Sequence, residues 1–241
     1  MIGLGTIIDV FGIILGGILG MVFGKFLLKK HREMLIKMCG VSILFIGVAG
    51  VMEQMLKITD GKVMSHRGLF LIISLTVGGL IGEILKLDSK IEHFAKVLKK
   101  GSGSAKDDKF VTGFINTSMS ICIGALAIVG AINDGLRGDY DLLITKAVLD
   151  LVTVLVMTSS FGRGCIYAVI PVVVIQGSIT FFAKVLSPFI TDPMLSNISL
   201  VGNILVFCVG INLIFGEKIK VVNLLPALVV GIALSFLPFV I

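Results

Sequence analysis

Lys146 and Asp150 stand four residues apart inside an otherwise apolar stretch, Leu142 to Ser160. In a helix that spacing puts both side chains on one face, where a lysine and a carboxylate pair. A carboxylate at membrane depth costs ~2.5–3.5 kcal/mol on insertion scales, and such residues face a bundle interior or a wet cavity. The chemistry open to this pair is the binding or relay of a cation at Asp150. Lys146 would hold the carboxylate charged or compete with the ion. The alternative is a structural clasp between helices. Asp150→Asn should take away the counter-charge of Lys146, so that Lys146→Met with Asp150→Asn folds better than Asp150→Asn alone.

Other polar residues in apolar surroundings extend the candidate site. Asn116 and Ser120 fall in the fourth apolar segment, beside Thr117 and Ser118. Gln176 precedes Gly177 and follows Pro171, a sequence that suggests a broken helix with free carbonyls. Asn203 and Asn212 lie in the seventh segment. We expect Asp150, Lys146, Asn116, Ser120, Gln176 and Asn212 to line one polar site at mid-membrane. Asp134 and Asp139, with Asp141 nearby, form an acidic cluster that could draw cations to an outer mouth or be a solvated turn. Asp9 is a further acid at the membrane edge.

The elements that position these residues must be membrane helices. The chain has 241 residues, 56% of them hydrophobic and 15% charged, and a mean hydropathy of +1.09. Soluble domains carry about 25% charged residues. A spanning helix needs about 20 mostly apolar residues. Eight stretches qualify: about 4–27, 33–56, 68–86, 110–132, 142–161, 166–187, 195–215 and 222–240. Seven spans result if Ser159–Gly164 is a break inside one longer helix rather than a turn. The expected fold is an all-α polytopic bundle forming one integral membrane domain.

The basic residues give the expected orientation. With eight spans, 15 of the 21 Lys and Arg fall in the odd-numbered loops. Cytoplasmic loops are enriched in these residues, so both termini should face outward from a bacterial inner membrane. Within one of these loops, Leu87, Ile91, Phe94 and Leu98 recur at helical spacing, and Lys90, Glu92, Lys96, Lys99 and Lys100 fill the other face. This predicts an amphipathic helix on the inner leaflet, with Gly101-Ser102-Gly103-Ser104 as a flexible linker to about residue 108.

Gly12, Gly16, Gly20 and Gly24 make a smooth stripe along the first span. In lipid, small residues of this kind let helix backbones approach closely. The partner is another helix of this chain or, in a homo-oligomer, another subunit. Short matches between spans 1–3 and spans 6–8, at offsets near 160 residues, suggest an inverted repeat, a transporter signature.

Other chemistries find no support in the residues. Cys39, Cys122, Cys165 and Cys208 are isolated and apolar in context, so we expect no disulfide and no metal site. His31, His66 and His93 lie in loops. No hydrolytic triad or metalloprotease motif is present, so the chain is not expected to be an enzyme or to carry a cofactor. The net charge of +6 reports orientation rather than nucleic-acid binding. The expected partners are the bilayer and a small solute or ion. The N-terminus does not read as a cleaved signal peptide.

At these residues the chain resembles the bacterial membrane proteins of domain-of-unknown-function family 554, the YdfK-like proteins. The resemblance rests on Gly5-Thr6 with Gly16-Gly17, on Gly124-Ala125 with Asp134-Gly135-Leu136, and on Gly138-Asp139. Lys146 with Asp150, Gln176-Gly177, Gly210-Ile211-Asn212 and Asn223-Leu224-Leu225-Pro226-Ala227 complete it. Asp9 stands where the family is expected to have Asn, and Arg163 interrupts an expected small, apolar turn. The resemblance implies a multispanning inner-membrane protein and no substrate. The function expected is a small transporter or ion channel. The rival is a non-transporting scaffold or sensor that acts through the amphipathic helix.

Overall fold

A computed structural model of the protein describes residues 2–26, 29–59, 61–104, 107–122, 125–186, 188 and 191–236. The described chain is almost entirely helical. Its long helices are α1 (Leu4–Phe26), α2 (Lys29–Met55), α3 (Gly68–Leu85), α7 (Asp141–Phe161) and α10 (Asp192–Phe215). Shorter ones are α4 (Leu87–Gly101), α5 (Phe110–Cys122), α6 (Ala125–Arg137), α8 (Val169–Phe181), α9 (Ala183–Leu186) and α11 (Pro226–Leu234). Six helical stretches are long and apolar enough to cross a membrane, and the bent pair α5–α6 makes a seventh if it is one span. The eighth expected span is present only as a 3₁₀ turn, Val221–Leu224, followed by α11. Residues 237–240 of that expected span lie outside the described residues.

Many exposed side chains of the long helices are apolar, as lipid requires. On α1, Phe11, Ile14, Ile18 and Val22 face outward, whereas Gly12, Gly16, Gly20 and Gly24 are buried. The glycine face meets α7. A Cβ at Gly12 would lie 2.9 Å from the carbonyl oxygen of Ala147, one at Gly20 would lie 2.5 Å from that of Leu155, and one at Gly24 would lie 3.0 Å from that of Ser159. Gly16 faces the carbonyl of Leu151. Each glycine therefore opposes the residue 135 positions further on, so α1 and α7 run parallel in strict register.

The other long contacts are antiparallel. Gly40 and Gly210 face one another's helices across α2 and α10, with Gly47 and Gly50 against Asn203. Gly78 and Gly82 of α3 press on Ala227 and Asn223. Thr6 near the start of α1 meets Thr180 near the end of α8. These pairings sort the helix ends into two faces. A terminal face holds the starts of α1, α3, α7 and α10 and the ends of α2, α6, α8 and α11. The opposite, basic face holds Lys25, Lys86, Lys90, Lys96, Lys99, Lys100, Arg163, Lys218 and Lys220.

Several expectations change in detail. Ser159–Gly164 is a reversal between antiparallel helices rather than a break inside one. Gly162 makes it with φ +88, beyond the reach of most side chains. Arg163 then opens a 3₁₀ turn, Arg163–Ala168. Pro171 falls in the first turn of α8, where its missing N–H costs nothing, and α8 continues through Gln176-Gly177. The broken span is instead the fourth, whose halves Phe110–Cys122 and Ala127–Arg137 meet at 59°. Gly124 of the family pattern lies outside the described residues.

The loop helix α4 forms over Leu87–Gly101. Leu87 and Ile91 pack against the protein core, and Phe94 meets Phe114 at a tilt of 58°, with ring centroids 6.0 Å apart. Its apolar edge is thus partly claimed by the protein. Gly101–Ser104 forms a hydrogen-bonded turn, with Ser104 N–H donating to Lys99 O at 3.2 Å. A hairpin between α2 and α3 had no counterpart in the sequence reading. Leu56–Thr59 pairs antiparallel with Lys62–Ser65, turning at Gly61 with φ +72.

Candidate functional site

Three buried charges converge between α1 and α7. Lys146 Nζ donates to Asp9 Oδ2 at 2.7 Å and also to Asp150 Oδ2. Asp9 is 0% exposed, Lys146 5% and Asp150 6%. α7 rises about 1.5 Å per residue, which sets Asp150 near the middle of its 21 residues and Lys146 one turn nearer the terminal face. The parallel register brings Asp9 to the same depth. Asp9 therefore does not stand at an outer mouth. It is the second counter-charge of Lys146, so the lysine keeps a partner when Asp150 is neutralised. The expectation that Asp150→Asn strands Lys146 is corrected accordingly.

The triad is asymmetric. Lys146 and Asp150 line a cavity of about 620 Å³ bounded by α2, α5, α6, α7 and α10. Asp9 does not reach it. Its Oδ1 accepts no hydrogen bond among the described residues. Ser120, Thr153, Ser199 and Asn203 share the cavity wall with Asp150. Toward the terminal face the cavity carries Glu53, Gln54, Asp192 and Ser196, with Ser196 Oγ donating to Gln54 Oε1 at 2.7 Å. Ile46 and Leu149 form its lateral edge and are exposed.

A second cavity, of about 610 Å³, lies at the basic face. Asn116 and Asn212 line it with Asp88, Glu92, Lys96 and Lys220. The two cavities follow one another along the same helices. On α5, Asn116 and Met119 face the basic cavity and Ser120 and Ile121 the terminal one; on α10 the corresponding residues are Asn212 and Leu213, then Val206. Between them lie Met157 and Val209, each 1% exposed and part of one apolar cluster with Met119, Phe161 and Leu213.

The six residues expected to line one site are therefore divided. Asp150, Lys146 and Ser120 share the terminal cavity. Asn116 and Asn212 belong to the basic one, where Asn212 also holds a turn: its Oδ1 accepts from Lys218 N–H at 2.9 Å and Ile219 N–H at 3.0 Å, and its Nδ2 donates to Ile219 O at 2.7 Å. Gln176 is buried on the far side of α1, where its Nε2 donates to Thr6 Oγ1 at 3.4 Å. The polar cavity residues absent from the expected site are Glu53, Gln54, Thr153, Asp192, Ser196 and Ser199. Glu53 and Asp192 are each a single acid near the end of an apolar stretch, a pattern that solvated helix ends share.

The acidic cluster at the terminal face has structural work. Asp134 is 0% exposed, and its two oxygens accept the N–H groups of Gly3 and Gly5, each at 3.1 Å. A carboxylate there satisfies free amides and complements the positive end of the α1 dipole. Asp139 is exposed and accepts from Asp141 N–H at 3.3 Å, a local turn before α7. Neither residue lines the terminal cavity. Asp134→Ala should lower stability by about 1–3 kcal/mol, the cost of orphaned buried groups, and Asp134→Asn by less, because one acceptor remains. Melting of both variants in detergent checks this; equal melting of Asp134→Ala and wild type would refute the clasp.

At the basic face Lys220 pairs with Asp88 at 3.2 Å and Glu83 at 3.4 Å. The hydrogen bond from Ser89 N–H, helped by Lys220, holds the Asp88 carboxyl below its ordinary range. Hydrogen bonds to Asp88 and Glu83 raise Lys220. Asn223 Nδ2 joins them, donating to Glu83 Oε2 at 2.6 Å. This network ties α3, α4 and the 3₁₀ turn before α11 together.

Comparison with known proteins agrees with a membrane protein. The chain is 32% identical over 226 residues to a protein of Bacillus subtilis (strain 168) named "Uncharacterized membrane protein YdfK", with 94% of this chain and 93% of that protein covered. It is 26% identical over 236 residues to "Uncharacterized protein YqgA" of Escherichia coli (strain K12), covering 96% of each. No solved structure matches significantly. The family described as "Protein of unknown function (DUF554)" matches residues 4–236, and with that nearly full-length match the chain is a member of this family of membrane proteins.

Proposed function

We propose that the protein is a small transporter or ion channel that moves a cation between the two cavities, with Asp150 as its mid-membrane ligand. One observation carries this reading. A buried ion pair forms part of the wall of a cavity with acids at its outer end, and a second cavity lies in line beyond a thin apolar layer. A clasp needs no cavity, and a purely structural pair gains nothing from facing one. Intramembrane ionisable residues that face a wet space mark ion paths. Glu53 and Asp192 give the terminal end a negative potential that concentrates cations. Met119, Met157 and Val209 are the barrier such an ion must pass.

The basic face is the cytoplasmic one in this reading, since Lys and Arg collect on that side of a bacterial inner membrane. Both termini then face outward. The opposed directions of α1 and α8, of α2 and α10, and of α3 and α11 fit an inverted repeat of spans 1–3 and 6–8. The glycine stripe of α1 packs on α7 of the same chain, which supports intrachain packing as its role. A sensor reading through α4 is less well supported, because Leu87 and Ile91 of that helix pack on the core.

The test is cation flux into proteoliposomes holding the full chain, scanned across sodium, potassium and lithium and across a pH gradient. Wild-type protein should carry one of these ions, and Asp150→Asn should abolish that flux while remaining folded. Flux equal in the two proteins would overturn Asp150 as the ligand. No flux of any of these ions by wild type would overturn cation transport.

A further inference from the structure

We infer that the Asp9–Lys146–Asp150 triad is an exchange site for one monovalent cation, in which Lys146 is a tethered competitor and Asp9 its parking position. The inference deepens the transport reading and rests on it for its purpose. Three observations lead to it. The triad holds two carboxylates and one ammonium, so it is one positive charge short when all three are ionised. Its two carboxylates are not equivalent, because Asp150 lines the terminal cavity and Asp9, 0% exposed, does not. Asp9 also keeps an oxygen, Oδ1, that is buried and accepts nothing among the described residues.

Together these define two states. In the state seen here Lys146 bridges both carboxylates. Of the two triad carboxylates, a cation arriving through the cavity meets Asp150, which lines it. As it binds, the lysine ammonium loses that partner but not its charge compensation, since Asp9 already holds it at 2.7 Å and Oδ1 offers a second acceptor. The ion and the ammonium together then balance the two carboxylates. The chemistry required of the ligand is a single positive charge small enough to sit on one carboxylate: a proton or an alkali-metal ion. A divalent ion would leave the triad positive in a buried site. No bond in the protein breaks. If the ligand is a proton, it comes from water in the cavity and forms the O–H of Asp150.

Among the described residues, few ionisable groups bear on Asp150. Asp9 comes from α1 and Lys146 from its own helix, and the Cys122 thiol of α5 lies within electrostatic reach of all three. Glu53 of α2 and Asp192 of α10 face the shared cavity.

The test is made on the full chain in detergent, by following melting temperature against sodium or lithium chloride at constant ionic strength with N-methylglucamine as balance. A parallel series replaces the metal ions by a pH titration from 8 to 5. Saturable stabilisation by the alkali ion identifies a metal-ion site. Stabilisation by acid alone identifies a proton site. Lys146→Met removes the competitor, so the midpoint should move at least tenfold toward lower ion concentration, or at least one pH unit upward. Asp9→Asn removes the parking position, so the midpoint should move at least tenfold the other way. A role confined to stability would shift all melting temperatures and leave both midpoints in place, and that result would overturn the inference.

So would a wild type that responds to neither series. A midpoint that follows Glu53→Gln or Asp192→Asn and ignores Asp150→Asn would assign binding to the cavity rim and overturn it equally. Should Lys146→Met fail to fold, Lys146→Arg carries the test. Its permanently charged fork can hold both carboxylates at once, and it should weaken binding at least tenfold. An unchanged midpoint there counts against the inference. The two readings fail separately. Binding with these shifts but no flux in proteoliposomes would overturn transport alone. Flux with unmoved midpoints would overturn the exchange site alone.

Discussion

Gly16→Leu combined with Gly20→Leu should abolish recovery of folded protein in mild detergent. At both positions a Cβ would press on a main-chain carbonyl of α7, that of Leu151 or Leu155. A carbonyl cannot swing aside as a side-chain end can. Overpacking a tight contact costs typically about 1–3 kcal/mol, and here two leucines act on one rigid seam. Separation of α1 from α7 would also pull Asp9 from Lys146, so the losses compound. Single Gly→Ala changes should already lower melting measurably. Size-exclusion yield and melting temperature read the outcome. Wild-type values for the double leucine variant would mean that the seam does not carry the α1–α7 association.

Lys146→Met should be the most damaging single change in the triad, and Asp150→Asn one of the mildest. Removing the lysine leaves two buried carboxylates with no cation between them. Breaking a buried ionic network by deleting one partner costs about 3–5 kcal/mol. Asp150→Asn leaves the 2.7 Å pair of Lys146 with Asp9 intact, so its stability should fall by no more than about 1 kcal/mol, the net worth of an ordinary hydrogen bond. Adding Lys146→Met to Asp150→Asn then orphans Asp9 and makes matters worse. Denaturant melts of the three variants decide it. A double variant more stable than Asp150→Asn alone would show that Asp9 is not an effective partner.

That order reverses what spacing alone implies, and the reversal shows where a sequence stops being legible. The Lys146–Asp150 pair could be read because its partners are four residues apart on one helix. Asp9 lies 137 residues from Lys146, and only the α1–α7 register connects them. Asp134 is equally remote from Gly3 and Gly5, and its charge looked like solvent exposure when it was a buried clasp. The glycine stripe was legible as a packing face because its period is that of the helix; its partner was not. Pro171 misled because a proline breaks a helix only in its interior, and where α8 begins depends on the preceding 3₁₀ turn. Asn212 and Asn116 are polar residues in apolar runs, as read, but depth along the helix puts them in a different cavity from Asp150.

The pairing of early with late helices has a consequence for how the chain is made. α1 leaves the ribosome about 135 residues before the stretch of α7 that covers its glycines, and α2 and α3 await α10 and α11 for longer still. At synthesis rates of about 5–20 residues per second, the first helix spends on the order of ten seconds in the bilayer without its final neighbour. Its insertion must therefore rest on its own hydropathy, 2.2 over its most apolar window, while its bare glycine face is covered by lipid or by a membrane chaperone. Assembly follows the second stage of membrane-protein folding, in which inserted helices find each other. Nascent chains arrested before about residue 140 should then hold α1 across the membrane yet leave it open to chemical crosslinking with surrounding factors, and that crosslinking should fade once α7 has entered.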